Sequence, residues 1–424
     1  MQTAALSASP AVAHRTAAGT VTVLGPDGSP LAGRPVTVEQ VRHDLGFGNI
    51  GFDFIELANG ETQAGPRVFG GARPEQAEHL SALWLDLHNH VTLPFYWRMF
   101  EPAQGAPATR RLHAAAAWFR ERGVVVKGHP LLWHTQAPGW LREVPPDEVL
   151  GLVQDRIRRE VGDFADVIDI WDAINEPVIM PVFTAEQNGI TPLAQRLGRV
   201  ETVRLAFDTA RAAGATTLVL NDFDMSPAYE QLITECLDAG VQIDAIGLQS
   251  HMHQGWWGEE KTAGVLDRFS RFGLPLHFSE TTLLSGDLMP REITDLNDYR
   301  VPSWPSTPEG EERQADEIAR HYTRLVEHPA VQVITYWGLS DDGSWLGAPS
   351  GLVRADGTPK PAFHALRELI KGDWWLDPVT VLSDEQGQVS VAGFRGSYRL
   401  TADGLSAVVH LGDGDLVDRT AALA

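Results

Sequence analysis

A single cysteine, Cys236, excludes an intramolecular disulfide framework. Its neighbours Leu232, Ile233 and Leu237 place it in an apolar helical stretch, where a thiol packs as a small hydrophobe. Basic residues are scarce as well, 34 Lys and Arg against 56 Asp and Glu, for a formal charge of −22. Such a surface repels phosphate backbones, so nucleic acid is not expected as a partner. No apolar run approaches the roughly 18 residues of a membrane span, so no membrane partner is expected either. The Gly-x-Gly-x-x-Gly match Gly46-Phe47-Gly48-Asn49-Ile50-Gly51 begins inside an expected strand instead of following one, and His-Glu-x-x-His and any cysteine cluster are missing, so neither a cofactor nor a metal is expected. Repeats, heptads and blocks of like charge are absent too, which leaves a scaffold role without a positive feature, and no feature sets an oligomeric state. The first thirteen residues have no positively charged start and no strong apolar centre. The expectation is a cytoplasmic protein, or a secreted one if a signal peptide has been removed.

What is present is a globular composition, 43% hydrophobic and 21% charged, with 13 Trp. That is more tryptophan than packing alone demands, and aromatic faces suit the apolar C–H faces of sugars. Residues 20–40 alternate apolar and polar (Val21, Val23, then Val36, Val38) around the turn Gly25-Pro26-Asp27-Gly28. The C-terminal stretch does the same through Val379, Val381, Val389, Val391, Tyr398, Leu400, Val408 and Val409. The expected organisation is a flexible N-terminus (1–17), an N-terminal β ribbon (18–43), a catalytic barrel (44–375) and a C-terminal β segment (376–424). The two ends together are expected to form an accessory β layer that braces the barrel.

Between the ends, short apolar runs alternate with helical stretches, the pattern of a parallel sheet. Strands are expected at 46–48, 92–95, 124–128, 168–171, 217–220, 245–248, 276–278 and 333–336. Eight such units favour an α/β fold closed into a (β/α)₈ TIM barrel. Polar residues follow the strand ends in turn: His129, Asn175, Glu176, Asn221, Gln249, His251, Glu280 and Trp337. Loops are polar in general, yet catalytic groups of such barrels come from the C-terminal ends of the strands.

Two of these residues have the chemistry of glycoside hydrolysis, which needs one carboxyl group to protonate the leaving oxygen and a second to attack or to activate water. Glu176 closes Trp171-Asp172-Ala173-Ile174-Asn175-Glu176, after which Pro177 ends the ladder, so its carboxyl should face the barrel mouth. Glu280 closes Leu276-His277-Phe278-Ser279-Glu280, where a carboxylate after a buried strand is costly unless paired or functional. His251 is placed to hydrogen-bond Glu280 and keep it ionised, and Asn175 to meet a sugar 2-hydroxyl.

An ordered set of motifs then resembles glycoside hydrolase family 10, the xylanase family. The matching segments are Lys127-Gly128-His129-Pro130-Leu131-Leu132-Trp133-His134-Thr135-Gln136, the Asn175-Glu176 segment, Asn221-Asp222-Phe223, and Ile246-Gly247-Leu248-Gln249-Ser250-His251. Ser279-Glu280 and Trp337-Gly338-Leu339-Ser340-Asp341, with Trp345 beyond, complete it, and the similarity spans roughly 47–369. The resemblance implies a retaining two-glutamate mechanism, Glu176 as acid/base and Glu280 as nucleophile, with carboxyl groups about 5–5.5 Å apart. It also implies that His129, Trp133, Asn175, Gln249, His251, Trp337 and Trp345 line the subsite of the reacting sugar, the last two tryptophans as aromatic walls; Asn221 and Tyr96 are expected to bind substrate as well. The implied partner is a carbohydrate, xylan or a xylo-oligosaccharide.

On strand two the sequence departs from the family, whose Glu-Asn-x-Met-Lys-Trp segment holds the glycone-side sugars through Glu, Asn and Lys. Counting back from Glu101-Pro102, Thr92, Leu93 and Tyr96 stand at those three places. A buried sugar hydroxyl left without a partner costs roughly 1–3 kcal/mol, so specificity should change while the catalytic pair survives. Either His88, Asn89, His90 or Tyr96 restores the contacts, or the enzyme acts on short or differently decorated glycosides. Two loops are candidates for tuning the other side: 282–309 with Trp304, as a lid, and His253-Gln254-Gly255-Trp256-Trp257, as a stacking platform. Either could equally pack on the barrel rim. The histidine pairs His88/His90 and His251/His253 superficially suggest a metal, but lack a supporting ligand motif. A reading of another class, a non-catalytic carbohydrate-binding protein, leaves the retained glutamate pair unexplained.

Overall fold

The computed structural model describes residues 3–6, 9–63, 73–412 and 420–424. The parts of the expected N-terminal, barrel and C-terminal segments at 1–2, 7–8, 64–72 and 413–419 lie outside the described residues. The chain divides into two compact units: Phe47–Glu317 with Ala330–Ala362, and Met1–Gly46 with Ile318–Pro329 and Phe363–Ala424.

Eight strands form a closed barrel: β1 (Gly46–Ile50), β2 (His90–Pro94), β3 (Val125–His129), β4 (Ile170–Asn175), β5 (Thr217–Asp222), β6 (Ala245–Met252), β7 (Leu276–Leu283) and β8 (Val331–Tyr336). The pairings from β1 through β8 are parallel, and β8 closes on β1. A parallel strand needs a crossover, and helices such as Thr109–Arg120, Pro146–Asp163 and Pro227–Asp238 supply it. Helix Pro146–Asp163 shows why they form. Proline stands in its first turn beside Asp147 and Glu148, which complement the helix dipole. Val149, Val153, Ile157 and Val161 then recur on one buried face, each side chain contributing about 1.5–3 kcal/mol on burial. Helix Pro227–Asp238 begins on Ser226, whose side chain accepts from the Ala228 amide, and buries Cys236, whose thiol burial pushes up to about 12. No helix among the described residues is long and apolar enough to cross a membrane.

The second unit holds two four-stranded sheets that interleave the chain ends. One runs Thr3–Ala5, Gln388–Phe394, Thr16–Leu24, Thr420–Ala422; the other Val379–Leu382, Pro35–His43, Gly396–Ala402, Leu405–Leu411. Val21, Val23, Val36, Val38, Val389, Val391 and Tyr398 are buried together in its core, as their alternation requires. Within the first seventeen residues, expected as a flexible terminus, the described part carries the strand Thr3–Ala5 and a 3-10 helix, Pro10–Arg15. Arg15 donates to the carbonyls of Val326 (3.1 Å) and His328 (2.6 Å).

Candidate active site

Glu176 stands immediately past β4 in the left-handed region, at φ 56°. That conformation is strained for a residue with a β-carbon and persists only where its surroundings hold it. Two contacts with β5 do so: the Glu176 amide donates to the Asn221 carbonyl (2.9 Å), and the Val178 amide to the buried Asp222 carboxylate (3.0 Å). The Glu176 side chain accepts from Trp133 Nε1 at 2.8 Å and from Asn175 Nδ2 at 3.3 Å. Burial drives its pKa up to about 8 against the pull of the Trp133 hydrogen bond, and the charges of Asp222 and Glu280 push the same way.

Glu280 lies within β7, which runs on to Leu283, beyond its expected end. A register shift against β6 between Phe278 and Glu280 sets Glu280 opposite Gln249. Such an irregularity re-aims a side chain next to a functional site. Its Oε1 accepts from Asn221 Nδ2 (2.9 Å), and its Oε2 lies 3.2 Å from His251 Nε2. Burial works to raise its pKa, but His129, the His251 hydrogen bond and charge, and Lys127 together hold it below the ordinary carboxylate value. The two glutamates therefore titrate on opposite sides of neutral.

A chain of amides joins them. Asn175 donates to Glu176, and its Oδ1 accepts from both Asn221 Nδ2 (2.8 Å) and Gln249 Nε2 (3.0 Å). Asn221, expected among the sugar contacts, is fully buried; its amide donates to Asn175 and Glu280, and its Oδ1 accepts from Ser279 Oγ at 2.5 Å. It therefore orients the carboxylate from behind. Gly247 makes the room, since a β-carbon there would lie 2.3 Å from Asn221 Oδ1.

Below this layer, Asp172 carries two partners, Lys127 Nζ at 2.9 Å and His129 Nδ1 at 2.7 Å. Burial raises the Asp172 pKa, yet the two partners outweigh it and bring it down to about 2. Sequence reading missed Asp172 and Lys127 as site residues, although a charge inside an apolar strand is a usable signal. Asp172→Ala leaves the buried Lys127 unpaired and is expected to lower the unfolding free energy by about 3–5 kcal/mol in urea at neutral pH. Because its folded pKa is depressed, the contribution of Asp172 is present above the unfolded value of 3.8 and lost as pH falls through about 2. The deficit of the variant should accordingly shrink over that window.

Aromatic rings surround the pair. Trp337 lies 5.4 Å from His129 and 6.2 Å from His251, and Trp345 4.7 Å from His251, ring centre to ring centre. Tyr96 contacts Trp133 (5.6 Å) and His129 (5.8 Å). Every expected site residue is therefore tied to this one cluster. The outer loops are more local. Trp304 donates to the Asp287 carbonyl within its own loop and stands 6.2 Å from His253, and Trp257 lies under Lys261. The histidine pairs fall at opposite ends of strands, His88 and His90 where β2 starts, His251 and His253 where β6 ends. Among the described residues no cluster of ligating side chains is arranged to hold a metal. A separate cavity of about 460 Å³, lined by Leu141, Arg142, Phe183, Glu186 and Asn188, contains neither glutamate.

A closed parallel barrel with two linked glutamates at the C-terminal ends of its strands holds the paired carboxyl groups that a glycoside hydrolase needs. The model of glycosyl hydrolase family 10 matches residues 78–369, and the chain belongs to that family. It is 28% identical over 263 residues to endo-1,4-beta-xylanase B of Thermotoga neapolitana, an alignment covering 58% of this chain and 70% of that protein. It is 26% identical over 361 residues to an endo-1,4-beta-xylanase/feruloyl esterase of Xylanibacter ruminicola, where 77% of this chain covers 49% of that protein. Among solved structures, xylanase 10B of Thermotoga petrophila in complex with xylobiose superposes with a TM-score of 0.60 at 22% identity, covering 77% of this chain and 94% of that one. At that identity the likeness bears on the fold alone.

Proposed function

We propose that the protein is a retaining β-glycosidase acting on β-1,4-linked xylose chains, xylan or xylo-oligosaccharides, with endo-1,4-β-xylanases as its relatives in chemistry. The observation that carries the reading is a pair of glutamates at strand ends joined through Asn175 and Asn221, with burial raising the pKa of Glu176 and neighbouring positive charge and hydrogen bonds lowering that of Glu280. Glu280, ionised, attacks the anomeric carbon while Glu176, protonated, gives its proton to the departing oxygen. The product of that step is a glycosyl ester on Glu280 and a free sugar hydroxyl. Glu176, now a carboxylate, then takes a proton from water as the water attacks the same carbon from the face the leaving group vacated. Two inversions restore the β configuration, and both glutamates return to their starting protonation. The names of the relatives support xylose as the sugar.

The test is proton NMR of the first product from an aryl β-xyloside and from xylotetraose. Release of the β anomer ahead of mutarotation is expected; initial release of the α anomer, or no turnover of either, would sink the proposal.

A further inference from the structure

Of His88, Asn89, His90 and Tyr96, Tyr96 alone stands at the glutamate end of strand two. Thr92 and Leu93 are 0% exposed. His88 and Asn89 precede β2, whose register sets His90 opposite Val125 at the start of β3 and Pro94 opposite His129 at its end. They belong to the end of the barrel away from the glutamates. Asn89 accepts there from the Phe47 amide at 2.8 Å, and His88 Nε2 lies 3.3 Å from Asn49 Nδ2.

In place of those contacts stands an apolar wall. Ile50, Phe52, Tyr96 and Trp337 form one cluster, each only 2–4% exposed, with Trp133 packed against it. Phe52 is central, its ring 5.9 Å from Tyr96 and 5.9 Å from Trp337, each meeting edge to face. The wall passes without a break from the end of β8 across β1 and β2 to the loop after β3. Among the described residues, the polar groups of Asn175, Gln249, His251, His129 and Tyr96 lie around the two glutamates. The Tyr96 hydroxyl belongs with them: burial first, then the negative charges of Glu280 and Glu176, keep it protonated.

We infer that the glycone side of this site is a one-sugar pocket closed by Phe52 and Tyr96, so that the enzyme removes single sugars from the non-reducing end instead of cutting within a chain. The inference rests on the retaining β-xylosidic reading above. Internal cleavage draws on a second glycone unit whose binding is realised at the transition state. Against Phe52 and Tyr96 that unit would displace packed rings, and the side chains of Ile50 and Phe52 offer its hydroxyls no hydrogen-bond partner. Each turnover then adds one water and yields one β-monosaccharide and a chain shorter by one unit.

The experiment follows xylohexaose carrying ¹⁸O at its reducing end by mass spectrometry over the first few per cent of conversion, alongside 4-nitrophenyl β-xyloside and β-xylobioside. Unlabelled xylose and labelled xylopentaose are expected as the only early products, with the xylobioside giving xylose and nitrophenyl xyloside before any nitrophenol. Early xylobiose or xylotriose from the hexaose, or nitrophenol from the xylobioside with a kcat/KM about tenfold or more above that of the xyloside, overturns the inference while leaving the retaining glycosidase in place. No turnover of either the hexaose or the nitrophenyl xyloside removes the underlying reading and the inference with it. Phe52→Ala combined with Tyr96→Lys should open the wall and bring xylobiose among the early products. Unchanged single-sugar release from that variant, with its thermal midpoint showing that it folds, counts against the wall as the cause. If it does not fold, the wild-type products decide.

Discussion

Glu280→Ala should lower kcat by at least about 10⁴-fold on every substrate, whatever its leaving group. A nucleophile takes part in the first bond formed, so a better leaving group does not compensate for its removal. The side chain is held from both sides, by Asn221 on Oε1 and His251 on Oε2, so truncation leaves these donors around a small space facing the anomeric carbon. Azide fits there and carries the negative charge those donors are arranged to receive. Added azide should therefore restore turnover of an activated aryl β-xyloside, attacking from the face opposite the leaving group and giving the α-xylosyl azide. The wild-type hydrolysis product is expected to be β, so the change of anomer reports the lost first inversion. A loss below about tenfold, or an azide product of β configuration, would assign the nucleophile elsewhere.

Much of this site could be read from residue order because its polar groups interrupt apolar strands. Asn175-Glu176, Gln249 with His251, and Glu280 each follow or fall within such a run, and a closed barrel brings all of them to one end. The eight strands were legible for the same reason, with errors confined to their ends. Strand β7 continues to Leu283 where the apolar run alone suggested a stop at 278, because Thr281 and Thr282 extend the ladder with β6 despite their hydroxyls. Nor did periodicity reveal the register shift before Glu280 or the left-handed backbone of Glu176. Both arise from contacts with neighbouring strands, and no local propensity records them.

Phe52 illustrates a different limit. A buried phenylalanine after a strand is indistinguishable in sequence from core, and only its contact with Tyr96 and Trp337 makes it part of the site. Asn221 went the other way. An asparagine in a matching motif read as a sugar contact, whereas its donors and acceptor are all engaged by Asn175, Glu280 and Ser279. Residue type indicates what a side chain can bond. Which partner it meets is set by the fold.

The basic limb of the pH profile should belong to Glu176, and Glu176→Gln should abolish it. Glu176 must be protonated to donate to the leaving oxygen, and burial raises its pKa to about 8. Glu280 must be ionised, and its pKa lies below the ordinary 4.5. In the free enzyme, kcat/KM should therefore rise through an acidic limb below 4.5, hold across neutral pH, and fall as pH passes about 8. Glutamine removes the titrating proton and the base together. On xylo-oligosaccharides, whose leaving group needs protonation, the loss should be about 10³-fold. On a dinitrophenyl β-xyloside, which departs without a proton, formation of the glycosyl-enzyme should stay fast and its hydrolysis become limiting. A burst of dinitrophenolate followed by a slow steady state is the expected trace. Stability should respond with a definite sign: a carboxyl group whose folded pKa exceeds its unfolded value destabilises the fold as pH rises from about 4.5 through 8. The glutamine variant should therefore unfold at a higher temperature than wild type above pH 8, and differ less below pH 4.5. Persistence of a basic limb near 8 in Glu176→Gln, or equal losses on activated and unactivated substrates, would remove Glu176 from the acid/base role.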